Sequence, residues 1–154
     1  MIHSLFLINR HGKTRVTKWY TQSFSSYDRQ KYLKEIINVV LTRSSRLCNF
    51  LEWNDFKVVY KKYASLYFIS IVDKDDNELM ILEIMHQYVE SLDKFFNSVC
   101  ELDLIFNFHK AYWILDEIVL AGHIQESSKK SILKVVNDQD MMGEEVIDGD
   151  KSKK

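Results

Sequence analysis

Apolar stretches of strand length occur five times along the chain, at residues 2–9, 14–20, 48–53, 56–63 and 66–72. His11-Gly12 supplies the turn after the first stretch, because glycine tolerates a positive φ. Asn54-Asp55 is typical of a tight turn between the third and fourth stretches. Short turns of this kind join antiparallel neighbours, so the pattern predicts one antiparallel sheet.

The fourth stretch also predicts how the sheet is covered. Two sets of side chains alternate along it: Phe56, Val58 and Tyr60 in one set, and Lys57, Val59 and Lys61 in the other. Successive side chains of a strand point to opposite faces. The two lysines therefore predict that one face of the sheet is more solvated than the other.

Apolar residues at three- and four-residue spacing predict the helices. The first helix begins after Ser25 or Ser26, which can cap it, and a long second helix begins at Glu78. Their apolar positions are Leu33, Ile36, Ile37, Val40 and Leu41 in the first, and Leu82, Met85, Val89, Leu92, Phe96 and Val99 in the second. A third helix carries Tyr112, Leu115, Ile118 and Val119 and ends at Gly122. A short last helix, capped by Ser127 or Ser128, carries Ile132, Leu133 and Val136.

The order of these elements defines the fold class. Two strands, a helix, three strands and further helices predict an α/β protein, a five-stranded antiparallel sheet sandwiched between helices. The chain has no proline and only four glycines, so no interdomain linker is indicated. We expect one domain over residues 1–140 and a charged, disordered tail over residues 141–154.

Composition narrows the class of protein. A formal net charge of −1 argues against a dedicated nucleic-acid binder. The apolar N-terminus is too short and wrongly flanked for a signal peptide, and no apolar run reaches membrane-helix length. Cys48 and Cys100 both lie in apolar stretches and are interpreted as buried free thiols of a reducing compartment. Together these features predict a soluble intracellular protein whose membrane contact is peripheral.

Enzyme and metal signatures are weak. The sequence lacks a phosphate-binding glycine loop, a nucleophile elbow and a zinc-protease motif. The acidic run at residues 73–78 starts like a calcium loop but has Glu78 where that loop needs glycine. His86 and Glu90 share a helix face without a third metal ligand, and nothing orients Cys100 toward His109. We therefore predict no metal, no cofactor and no catalysis.

Two features remain as candidate binding elements. Residues 10–18 place four Lys and Arg side chains on the first hairpin, either to keep a sheet edge soluble or to bind an acidic group of a partner peptide or an anionic surface. Val89, Val99 and Leu104 either belong to the core or line a shallow groove between a helix and the sheet edge. The residues alone do not separate these alternatives.

Long runs of the chain resemble the sigma (small) subunits of clathrin-associated adaptor complexes. The runs are NFLEW at 49–53, KVVYKKYASLYF at 57–68, YVESLDKFF at 88–96 and VCELDLIFNF at 99–108, with NRHGKTR at 9–15 and LDE at 115–117. The resemblance covers roughly residues 1–145 and implies a longin-like fold. Residues 48–53, Ser98 and residues 127–134 are most similar to the complex of the trans-Golgi network and endosomes. The endocytic plasma-membrane complex and a coatomer zeta-like subunit are the alternatives.

The resemblance also implies a site. Sigma subunits help to bind cargo tails with an acidic dileucine signal, Asp/Glu-x-x-x-Leu-Leu/Ile. By position, the leucines would contact Tyr63, Ala64, Leu66, Val89, Val99 and Leu104, with Ser98 at the rim. Arg15 would face the upstream acidic residue, together with a basic residue of the large subunit. The endocytic form tends to have asparagine at the position of Ser98.

The partners follow from the same resemblance. We expect a large, gamma-type adaptin as the direct partner, beta and mu subunits in the heterotetramer, and clathrin and an ADP-ribosylation factor GTPase bound through the complex. The expected location is the cytoplasm, at the cytoplasmic face of the trans-Golgi network, endosomes and clathrin-coated vesicles. A fusion longin protein would instead need a heptad segment and an anchor after the domain.

Overall fold

A five-stranded antiparallel sheet forms the centre of the molecule, with the strand order β2-β1-β5-β4-β3. The computed structural model describes residues 1–120 and 123–124. Its strands are β1 Ile2–Asn9, β2 Thr14–Trp19, β3 Phe50–Trp53, β4 Phe56–Tyr63, β5 Leu66–Asp73, and the short pair β6 Val119–Leu120 and β7 His123–Ile124. Its helices are α1 Ser26–Thr42, α2 Glu78–Phe96, α3 Glu101–Phe106 and α4 Phe108–Ile118. The predicted fold class is confirmed.

Tight turns set the register of the sheet. Trp53 pairs with Phe56 and Tyr63 pairs with Leu66, so β3–β4 and β4–β5 are both hairpins with two-residue turns. Asn54 and Ala64, the first residues of these turns, both have a left-handed φ, of 52° and 51°. The predicted Asn54-Asp55 turn is therefore present, and β5 is fixed between β1 and β4 at the centre of the sheet.

Helices cover both faces of the sheet. Alternate residues of β1, β4 and β5, such as Phe6, Val58 and Ile69, pack with Ile36 and Val40 of α1. The intervening residues, which include Leu7, Val59 and Phe68, pack with α2, α3 and α4. An antiparallel sheet often leaves one face in water, but β5 is apolar almost throughout because neither of its faces is solvated.

The predicted solvated face is therefore wrong, and Lys57 shows how its charge is accommodated. Its side chain is only 10% exposed, and Nζ donates to Glu78 Oε1 at 2.7 Å and to the Asp76 carbonyl oxygen at 2.8 Å. The contact also lowers the pKa of the Glu78 carboxyl. Lys57 thus has polar partners from α2 and its preceding loop rather than open solvent, whereas Lys61 is half-buried.

Local capping explains where the two long helices begin. Ser25 Oγ accepts a hydrogen bond from the Asp28 N–H at 3.1 Å, which selects Ser25 rather than Ser26 as the cap of α1. Asn77 Oδ1 accepts from the Leu79 N–H at 3.0 Å at the start of α2. Both starts agree with the sequence prediction.

The C-terminal ends differ from the prediction. Helix α2 ends at Phe96 because Asn97 and Ser98 adopt left-handed φ values of 54° and 76°, so Val99 lies outside the helix. Helix α4 ends at Ile118, and Val119 begins β6 rather than continuing the apolar helix face. Gly122, Ser127, Ser128 and the tail over residues 141–154 lie outside the described residues.

The cysteine prediction was half right. Cys48 and Cys100 are free thiols, but both are exposed. Cys48 lies in the connection between α1 and β3, and Cys100 is the residue before α3. Apolar neighbours in the sequence suggested burial, but loop backbone turns these side chains outward.

Gly12 is required at the β1–β2 turn for two reasons. Its φ is +84°, and a Cβ there would lie 3.0 Å from Ile37 Cγ2 and 3.3 Å from Leu41 Cδ1 of α1.

We predict that Gly12→Ala lowers the free energy of unfolding by about 1–3 kcal/mol, from backbone strain and overpacking. Denaturant unfolding of the purified chain measures this change. Adding Ile37→Ala removes the closest contact of the new methyl group. A double-mutant cycle should therefore show recovery of the part of the destabilisation that comes from the steric clash, and not of the part that comes from backbone strain. An unchanged midpoint for Gly12→Ala would contradict the assignment.

Candidate functional site: a cleft between α2 and β4

A cleft of about 330 Å³ opens between helix α2 and strand β4. Its lining residues are Lys61 and Tyr63 of β4 and His86, Val89, Glu90 and Asp93 of α2. The four helical residues follow i, i+3, i+4 and i+7 spacing, so they form one face of α2. The cleft therefore has an apolar centre at Val89 and Tyr63 and charged or polar groups around it.

The predicted apolar site residues divide into two groups. Tyr63 and Val89 line the cleft. Leu66, Val99 and Leu104 are at most 7% exposed and belong to the hydrophobic cluster that contains Val89. Val89 is itself only 4% exposed, so these four residues belong to one core, and the cleft opens at the edge of this core beside Val89 and Tyr63.

The two remaining pocket residues are exposed. Ala64 lies in the β4–β5 turn with a left-handed φ of 51°, directly after Tyr63. Ser98 follows α2, directly before the buried Val99, with a φ of 76°. Turns of this kind place backbone beside the cleft without filling it, and both residues occupy a conformation that costs free energy for a residue with a Cβ.

Asp93 joins three segments at this cleft. Its Oδ2 accepts a short hydrogen bond from the Tyr63 hydroxyl, and its Oδ1 accepts from the Val99 N–H at 2.9 Å. Its carbonyl oxygen also accepts from the Ser98 N–H at 2.9 Å. The bond to Asp93 raises the pKa of the Tyr63 hydroxyl. The sequence analysis missed this role, although Asp93 lies four residues after Val89 on the same helix face.

The side chains of His86 and Glu90 meet across one helical turn. His86 Nε2 lies 3.0 Å from Glu90 Oε1, with side chains 47% and 33% exposed. Within the part of the chain that the structure describes, no three His, Cys, Asp or Glu side chains gather as a metal site. The pair therefore borders the cleft as a polar edge.

Arg15 does not line the cleft but pairs with a carboxylate of its own chain. From β2, its Nε lies 2.8 Å and its Nη2 2.6 Å from Glu101 Oε1 at the start of α3. Asn9 Nδ2 donates to the same oxygen at 2.9 Å. The bond from Arg15, followed by that from Asn9, lowers the pKa of the Glu101 carboxyl. The sequence analysis missed Glu101, which is separated from Arg15 by 86 positions.

The basic hairpin is thus partly neutralised. Lys18 Nζ lies 3.0 Å from Asp116 Oδ1 of α4, so two of its four cations, Arg15 and Lys18, form ion pairs with the helical layer. Arg10 and Lys13, near the turn, are exposed. The turn of the hairpin is exposed, as expected of a soluble sheet edge, and Arg15 binds a carboxylate of its own chain. Binding of an acidic group from a partner stays a prediction.

With this geometry, comparison with known proteins identifies the family. The family model described as the small chain of the clathrin adaptor complex matches residues 1–143. The chain belongs to the clathrin adaptor small-chain family. The predicted resemblance is therefore confirmed, and the family consists of adaptor subunits rather than enzymes.

Individual small chains show the same relationship. The chain is 56% identical over 144 residues to AP-1 complex subunit sigma-2 of Arabidopsis thaliana, which covers 94% of this chain and 88% of the relative. It is 54% identical to AP-1 complex subunit sigma-2 of Dictyostelium discoideum, covering 91% and 90%. It is 52% identical to human AP-1 complex subunit sigma-1A, covering 94% and 91%.

A structural comparison supports the same fold. A chain in a homology model of the full-length AP-3 complex in a stretched open conformation superposes with a TM-score of 0.73. The identity is 32%, and the match covers 97% of this small chain and 99% of the other. The longin-like sheet and helices of the adaptor small chain are therefore present here, and no helix of the described part is long and apolar enough to cross a membrane.

Asp93 gives a test of how the cleft is held in shape. Asp93→Ala removes the acceptors of the Tyr63 hydroxyl and the Val99 N–H, so we predict a loss of about 1–3 kcal/mol in unfolding free energy. Amide hydrogen exchange should accelerate at Val99 more than in β1 or β5. Lys94→Ala, at an exposed neighbour on α2, is the control. Equal exchange in the two variants would show that Asp93 does not hold this loop.

Proposed function

We propose that this chain is the small subunit of an AP-1-type adaptor and helps to recognise acidic dileucine signals in cargo tails. The cleft at Tyr63 and Val89 carries the proposal, because it offers apolar surface beside further apolar residues at the end of the sheet. The identity to AP-1 sigma subunits supports this complex type. The setting is vesicle transport at the cytoplasmic face of the trans-Golgi network, endosomes and clathrin-coated vesicles.

The size and chemistry of the cleft suit a short apolar anchor. Its volume of about 330 Å³ is at the lower end of the range for ligand pockets, about 300–1,000 Å³. One leucine contacts Val89 and the ring of Tyr63 directly. The second reaches Leu66, Val99 and Leu104 when the Ala64 turn and the Ser98 loop shift, and Ser98 then forms the rim.

The energetics favour weak binding. Burying two leucine side chains contributes about 1.5–3 kcal/mol each, and a half-exposed ion pair adds about 0.2–1 kcal/mol. Ordering the peptide offsets part of this gain. Affinity on the order of micromolar results. Several contacts of one complex to one membrane then give retention through effective concentration, and each cargo can still be released.

An exposed apolar surface on α3 and α4 supports a large adaptin as the direct partner. Phe106, Leu102 and Phe108 are 74%, 60% and 54% exposed. Large aromatic side chains left in water typically mark a protein interface. We assign this surface to the gamma-type large subunit. The beta and mu subunits complete the heterotetramer, and clathrin, the ADP-ribosylation factor GTPase and the membrane are reached through the complex.

Val89→Asp tests the proposed cargo site. A carboxylate in the cleft would have to be desolvated when a leucine docks, so we predict at least a tenfold loss of affinity, or about 1.4 kcal/mol. Fluorescence anisotropy of an acidic dileucine peptide with the assembled complex measures it. Val39→Asp on α1, at a position 36% exposed, adds the same charge away from the cleft and should bind normally. Normal binding by correctly assembled Val89→Asp would reject the site.

The proposed subunit interface has its own test. Phe106→Ser with Phe108→Ser should lower recovery of a large adaptin in affinity purification, because two apolar anchors are lost. Tyr27→Ser, which changes an aromatic residue 76% exposed on α1, is the control. Mass spectrometry of the recovered large chain identifies the complex. An alpha-type chain would contradict the AP-1 assignment, and undiminished recovery would contradict the surface.

A further inference from the structure

Arg15 is engaged by a carboxylate that belongs to the chain itself. Both its Nε and its Nη2 point at Glu101 Oε1, at 2.8 and 2.6 Å. The side chains of Arg15 and Glu101 are only 17% and 29% exposed, so solvent screens the pair incompletely. This is the arrangement a guanidinium makes with any acidic ligand, here within one chain.

This pairing changes what Arg15 offers to an incoming acid. A guanidinium and the carboxylate it binds together carry little net charge, and a second carboxylate experiences repulsion from the first. The Nε–Nη2 edge, which is suited to gripping a carboxylate, is already engaged. A ligand acid therefore reaches the Nε–Nη2 edge of Arg15 only when Glu101 gives it up.

Glu101 has a second partner when Arg15 is withdrawn. Asn9 Nδ2 donates to the same Oε1 at 2.9 Å, and Asn9 itself is held because its Oδ1 accepts from the N–H groups of His11 and Lys13, both at 2.9 Å. Asn9 is 7% exposed, so it stays in place within the hairpin. An exchange of Arg15 between two acids thus leaves Glu101 with a hydrogen bond, which lowers the cost of the exchange.

We infer that Glu101 is an internal stand-in for the acidic residue of the cargo signal, and that it competes with that residue for Arg15. The inference rests on the proposed cargo function. Glu101 therefore sets how much affinity the upstream acidic residue adds, while the apolar cleft determines whether a dileucine signal binds at all. Specificity is a difference between two affinities, and an internal competitor reduces this difference without affecting the leucine contacts.

The connection of Glu101 to the cleft makes the competition relevant to the whole site. Glu101 follows Cys100 and Val99, and three residues later Leu104 lies in the core beside the cleft. Asp93 holds this same segment through the Val99 N–H. Residues 99–104 thus connect Glu101 to the core beside the cleft, while the cleft itself is lined by α2 and β4.

The experiment compares two peptides on the assembled complex. One carries Glu-x-x-x-Leu-Leu, and the other has Gln in place of Glu. Glu101→Gln keeps the shape of the side chain and removes its charge, so the Glu peptide should bind about two- to fivefold tighter. The Gln peptide should be unchanged. With Arg15→Ser, the preference for the Glu peptide should fall, and adding Glu101→Gln should have no further effect.

Glu52→Gln is the charge-matched control. Glu52 is exposed on β3, the strand at the opposite edge of the sheet from β2, so its loss changes the net charge by the same amount far from Arg15. It should alter neither peptide's affinity. Unfolding midpoints of each variant confirm that the complex is intact.

The outcomes separate the inference from the proposed function. If Glu101→Gln weakens the Glu peptide, Glu101 positions Arg15 and the competition is wrong. If both peptides change equally, or neither changes, Glu101 does not set specificity and the inference is likewise wrong, while cargo binding stands. If neither peptide binds the wild-type complex, the proposed function fails and the inference fails with it.

Discussion

Burial of both faces of the central sheet is the constraint on which the rest of the structure depends. Strand β5 lies at the centre of the sheet. Its side chains point alternately toward α1 on one face and toward α2, α3 and α4 on the other. Because neither face of the sheet is open to a ligand, a binding surface has to be formed by the edges and turns of the sheet or by the helices that cover it. Lys57 shows how closed these faces are. Its buried ammonium group is accommodated only with both Glu78 and a backbone carbonyl as partners.

Asp93 determines the shape of the seam where surface does become available. Asn97 and Ser98 both adopt left-handed φ values, which cost free energy for residues with a side chain. The hydrogen bonds of Asp93 to the Val99 N–H and the Tyr63 hydroxyl compensate for this cost and join β4 to the end of α2. The strained loop at residues 97–99 lies next to the candidate cleft, and the side chain of Asp93 holds it. Such a loop can change shape with the loss of few contacts.

The sequence predicted the fold well and the site only in part, for physical reasons. Periodicity fixed the five strands and the starts of α1 and α2, because those depend on local burial and on caps at Ser25 and Asn77. Burial of single side chains was predicted less well: Lys57 is buried beside Glu78, 21 positions along the chain, and Cys100 is exposed directly after the left-handed backbone at residues 97 and 98. The pairing of Arg15 with Glu101 has no local signal, since the two residues meet only after β2 packs beside α3.

In the proposed function, recognition divides into an apolar and a charged part. The cleft at Val89 would gain its affinity from burial of apolar surface, which acts at short range. The Arg15 pair acts at longer range and is already neutralised inside the chain, so it adds selectivity rather than strength. A site of this kind would bind aliphatic pairs weakly and would distinguish the upstream acid by a small difference in binding free energy. Binding by such a site would become selective only where several weak contacts of one complex act together on one membrane surface.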